Sequence, residues 1–131
     1  MRRMIQALRR LRRSERASSA VEFALVAPVI VSMLFGAFEF GRALWTQALL
    51  NYAVEEASRC ASVNTTTCAT SSDTQTVAAN ATAPLNLPTS TFTVTSTSCG
   101  NKVTASYAFN FIAPNLFPYS LTLTSQSCYP I

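Results

Sequence analysis

Between Phe23 and Phe38 the chain carries no charged side chain, and the mostly apolar run reaches from Ala17 to Trp45 once its flanks are included. A helix of roughly 20 such residues crosses the hydrocarbon of a bilayer at about 1.5 Å per residue. Glu22 and Glu39 bracket the uncharged stretch. Along a helix they stand roughly 26 Å apart, so each can sit near one membrane face. A carboxylate in such a segment is costly and marks a functional position. Small residues recur at helical spacing (Ala20, Ala24, Ala27, Ser32, Gly36) and let a second helix approach closely in lipid. Pro28 lacks an N–H and predicts a kink or local unwinding.

Charge fixes the orientation expected of this span. Residues 1–17 hold Arg2, Arg3, Arg9, Arg10, Arg12, Arg13 and Arg16 against Glu15, whereas the remainder of the chain is net acidic within an overall +4. An arginine cluster beside a span keeps its own side cytoplasmic, so the bulk of the chain is expected to be exported. Met4, Ile5, Leu8 and Leu11 give the leader an apolar side suited to an anionic membrane surface. The span accounts for the arginines without a nucleic-acid partner, and none is expected. A cleaved secretory signal would have a shorter apolar core and a small-residue boundary such as A-x-A. Here the run passes into FEFGRALW, which favours a retained anchor.

Beyond the span the helical pattern continues. Glu39 and Arg42 can pair on one face at the outer interface, and Trp45 suits the aromatic belt. No glycine or proline interrupts Arg42 to Val63. Leu44, Ala48, Leu49, Tyr52, Ala53 and Glu56 then trace one side of the helix, an apolar stripe that needs a cover. The cover must come from the following residues. Ser71, Ser72 or Asp73 predicts the cap of a short helix running to Ala83 and stopped by Pro84. The period then changes to two. TFTVTSTSC, KVTASYAFNFI and SLTLTSQSC predict three strands, with a C-G-N-K turn between the first two and Pro114 to Pro118 linking the last two. Phe92, Val94, Val103, Ala105, Tyr107, Phe109, Phe111, Leu121 and Leu123 fall on one face. The expected fold class is α+β, a long N-terminal transmembrane helix whose spine packs on a small three-stranded antiparallel sheet.

Four cysteines in a short exported region point to two disulfides, with three pairings possible. Cys60 and Cys68 are near in sequence, and Cys99 and Cys128 fall at the same end of the sheet, so the layout favours 60–68 and 99–128. Each would contribute about 2–4 kcal/mol to a thin core. The cysteines lack the C-x-x-C spacing of a zinc site, and there is no histidine. With the commonest general base missing, no catalytic set assembles; no metal, cofactor or enzymatic activity is expected.

The residues now described resemble a known family. ASSAVEF at 17–23 resembles a prepilin processing site of the tight-adherence (Flp) class. The continuation through ALVAPVIVSMLFGAFEFGRALW to AVEEASRCA is similar to the TadE-like pilus assembly proteins. The resemblance covers roughly residues 14–61. It implies a pilin-like fold and a minor pilin or pseudopilin that takes part in initiating or capping the pilus. It also implies cutting by a prepilin peptidase, and contact with other pilins and with the membrane platform of the assembly machine. Carried onto this chain, Ala17 is the last leader residue, Ser18 the new N-terminus, and Glu22 with Phe23 the recognition and assembly pair. Ala17 stands where glycine is commoner, and its small side chain still suits a tight pocket. The expected organisation is a cytoplasmic leader (1–17), a transmembrane helix in the bacterial inner membrane (18–45), an exported spine (46–61) and a disulfide-stapled periplasmic domain (62–131). The alternative reading is a permanently anchored, unprocessed binding module that meets partners through its Thr/Ser-rich sheet.

Overall fold

A computed structural model describes residues 15–113 and 119–130, with side chains from Ser18 onward. Residues 1–14 of the basic leader, the side chains of Glu15, Arg16 and Ala17, and the Pro114–Pro118 link lie outside the described residues. Helix α1 runs over Glu15–Val63 and passes through Pro28 without a break. Helix α2 covers Ser71–Ala81. Short 3-10 turns follow at Ala83–Leu85 and Thr89–Thr91. Strands β1 (Phe92–Thr97), β2 (Gly100–Phe109) and β3 (Leu121–Tyr129) then form one antiparallel sheet in the order β1-β2-β3. The protein is therefore α+β, a long apolar helix followed by a small meander. It divides into two compact units between Phe38 and Glu39.

In the first unit no residue from Ser18 to Phe38 is buried, and large apolar side chains such as Leu25, Ile30, Met33 and Leu34 stand exposed. By length and composition this helix is long and apolar enough to cross a bilayer. Isolated in water it would leave several hundred Å² of apolar surface uncovered, roughly the size at which a patch marks an interaction surface.

The second unit has a core. Ala43, Leu50, Ala53, Val54 and Ala57 of α1 join Phe92, Val103, Ala105, Phe109 and Leu123 of the sheet, with Ala78 of α2 and Leu87 closing the side. This is a different stripe from Leu44–Ala48–Tyr52. Of the expected set only Ala53 is fully buried, whereas Leu44 and Tyr52 are more than half exposed. The reason is steric. Both stripes have helical spacing, but alanines let the helix axis come close to the sheet, and bulky Leu44 and Tyr52 would hold it off. Beside the apolar stripe runs a polar seam. Gln47 Nε2 donates to the Thr124 carbonyl at 2.9 Å, and Ser125 Oγ donates to Asn51 Oδ1 at 2.6 Å. Ser58 Oγ meets Ser127 Oγ at 3.0 Å, and Ser62 Oγ donates to the Tyr129 carbonyl at 3.1 Å. Positions 47, 51, 58 and 62 share one helical face, so α1 follows β3 along its length.

Local chemistry sets the remaining boundaries. Thr70, one residue before the expected caps, closes a capping box with Asp73, whose carboxylate accepts the Thr70 N–H at 3.1 Å. α2 stops at Ala81, and Pro84 sits inside the 3-10 turn that follows. The first hairpin turns on Ser98-Cys99 rather than on C-G-N-K, because Thr97 pairs with Gly100 and Asn101 is already in β2. Gly100 has φ +119°, and a Cβ there would collide with the Tyr129 carbonyl oxygen. Only glycine fits that corner. Leu123 is buried as its alternation implies, but Leu121, at the sheet end, is 39% exposed. Disulfides join Cys60 to Cys68, with Cα atoms 5.9 Å apart, and Cys99 to Cys128, with Cα atoms 6.3 Å apart.

Candidate functional site: the helix start and the Glu39 node

Two groups of residues named from the sequence lie on α1, one in each unit. In the first unit, Ser18, Glu22 and Phe23 are all exposed, Phe23 at 74%. Ser18 and Glu22 are one helical turn apart, and Ser18 Oγ donates to Glu22 Oε1 at 3.4 Å. The turn therefore presents the Ser18 hydroxyl, the Glu22 carboxylate and the Phe23 ring on an accessible surface.

In the second unit, Glu39 is buried, with 2% of its surface exposed. Its Oε2 accepts from Arg42 Nη1 at 2.8 Å, and its Oε1 accepts from the Ile112 N–H at 3.1 Å. The Arg42 guanidinium lies over the Phe109 ring, 5.2 Å from its centroid, and Phe111 meets Phe109 edge-on at 5.3 Å. Both carboxylate oxygens are thus bonded. One oxygen binds a cation and the other a backbone donor, and together they offset the cost of removing Glu39 from water. Glu39 and Arg42 follow from their spacing on the helix. Ile112 does not, because its contribution is a backbone N–H that any residue type could supply. The run of aromatics at Phe109 and Phe111 was the one available hint that something would sit against Arg42.

A shallow groove of about 460 Å³ is lined by Asn51, Thr104, Thr124, Ser125 and Gln126. Its lining is hydroxyl and amide, with no charged group and no nucleophile–base pair.

Residues 17–59 are similar to the family model described as TadE-like protein, and the similarity falls within α1. No curated protein and no solved structure matches the chain.

Proposed function

We propose that this protein is a membrane-held minor pilin or pseudopilin that helps initiate or cap a tight-adherence pilus after a prepilin peptidase cuts between Ala17 and Ser18. The observation that carries this reading is the exposed Ser18–Glu22 turn at the head of an apolar helix in which no residue up to Phe38 is buried. In the membrane the leader is cytoplasmic and the unit from Glu39 onward is periplasmic, following the arginine asymmetry. Cleavage leaves a cationic amine at Ser18. When helices stack in the membrane or the filament, the Glu22 carboxylate in apolar surroundings needs a cation, and the neighbour's amine supplies it and sets the axial register. Phe23 completes the segment the peptidase reads. Partners are the peptidase, the other pilins and pseudopilins, and the membrane platform.

Two substitutions in the native host separate processing from assembly. Ala17→Phe blocks the cut, and intact mass then reports a chain that keeps its leader. Glu22→Ala inserts and is cut, but pili fail to form, and Glu22→Asp restores them in part. Normal pili from Glu22→Ala cells overturn the pairing role. Wild-type protein that retains its leader overturns the minor-pilin reading and favours a permanently anchored module, for which the open groove at Asn51 and Thr124 is the natural contact.

A further inference from the structure

The end of the second unit that holds Glu39 is apolar in a way that its core does not require. Ile112 is 57% exposed and Tyr119 79%, and on α1 the side chains of Phe40, Leu44 and Trp45 are each more than half exposed. Two observations fix the level of these residues. The Ile112 N–H is bonded to the Glu39 carboxylate, so Ile112 stands beside the first residue after the uncharged run. Phe109 pairs with Leu121, so Tyr119 precedes β3 at the same sheet end from which Phe111 and Ile112 leave β2.

Charge is distributed to match. The two charged residues at this end, Glu39 and Arg42, are bound to each other. Glu55 and Glu56 lie about 24 Å further along α1. Lys102 pairs with Cys128 in the β2–β3 register, beside the Cys99 disulfide. It is about 23 Å along β2 from Phe109. Residues 110–120 contain no charged side chain at all. Trp and Tyr, with an apolar body and one polar atom, are the types that settle at the headgroup level.

We infer that this end of the exported unit is a membrane-seating surface, with Ile112 and Tyr119 joining Phe40, Leu44 and Trp45 in the outer lipid interface of the bilayer that the chain's own helix crosses. This rests on the anchor reading of the first unit and goes beyond it. A helix alone tethers the unit and leaves it free to swing. A second contact supplied by the β2 end makes the unit sit on the lipid, and the Glu39–Ile112 bond is the strut that holds the two contacts at one height.

The test uses the full chain in vesicles of phosphatidylethanolamine and phosphatidylglycerol, with acyl chains brominated near the headgroup. Trp45 is the sole tryptophan, so Trp45→Phe gives a silent background. In it, Ile112→Trp and Tyr119→Trp each report one position, Thr95→Trp reports an exposed site at the far end of the sheet, and Ile30→Trp reports the span. Emission at 112 and 119 is expected to shift to the blue and fall about twofold with brominated lipid, as for an aromatic at the headgroup level, with Thr95→Trp unchanged. If 112 and 119 behave like Thr95→Trp while Ile30→Trp is quenched, the seating surface is wrong and the span survives. An unquenched Ile30→Trp removes both. A blue shift without lipid quenching that grows with protein density assigns the surface to a second copy of the chain and overturns the lipid assignment.

Discussion

The two stretches of α1 are made of similar residues and end in opposite states. From Ser18 to Phe38 nothing is buried, although the stretch holds Leu25, Ile30 and Leu34. From Glu39 to Ser58 the helix buries Leu50, Val54 and three alanines, and also a glutamate, a threonine and a serine. Hydropathy therefore does not decide which part of this helix has a protein core around it. What decides is whether a covering layer follows in the sequence and whether small side chains allow it to come close. The first stretch has Ala20, Ala24 and Gly36 but, among the described residues, no sheet packed on it. The second has β1–β3.

The sharpest way to break this contrast is a matched truncation in each stretch. Leu50→Ala opens a cavity in the fully buried core and is expected to cost about 2–5 kcal/mol. Ile30→Ala should leave the unfolding of the second unit unchanged. Denaturant melts of the detergent-solubilised chain, followed by near-UV circular dichroism, measure both. Equal losses would mean that the two stretches fold as one body.

A smaller effect is expected at the boundary. Glu39→Ala strands the Ile112 N–H and frees Arg42, a loss of about 1–3 kcal/mol for a buried hydrogen-bonded group. Hydrogen exchange at Ile112 should accelerate more than the global stability falls. Protection unchanged at Ile112 would show that the aromatic packing of Phe109 holds this segment without the carboxylate.

The smallest effect tests the stripe itself. Tyr52→Ser, on the exposed side of the spine, should change stability by no more than about 0.5 kcal/mol. A melt shifted as far as that of Leu50→Ala would move the covered face back to Leu44 and Tyr52.

Much of the architecture was legible because it rests on period and composition. The uncharged run up to Phe38, the helical continuation to Val63 and the alternation of Phe92, Val103, Ala105 and Leu123 all read directly as one helix and a meander. The buried face of the spine was not legible. Two stripes of equal periodicity compete there, and the larger residues attract the reading although the smaller ones permit closer packing. The turn at Ser98-Cys99 was displaced by the pull of Gly100, which is needed for its clearance from Tyr129 rather than as the turn residue. At the Glu39 node, the Arg42 partner was visible from spacing. The Ile112 N–H, 73 residues away and independent of side-chain type, carries no signal in the sequence.

The polar seam along β3 also sets an order in time. Gln47 waits for Thr124 across 77 residues of chain, Asn51 for Ser125 across 74, and Ser58 for Ser127 across 69. The helix is synthesised before β3, so the polar face at Gln47, Asn51 and Ser58 stays unpaired while the intervening chain is made. Long-range closures of this kind are slow and leave a sticky intermediate exposed while they are pending. Loss of β3 alone would therefore be more damaging than its nine residues suggest. The polar seam of α1 would stay unpaired and the core would lack Leu123, a species suited to aggregation.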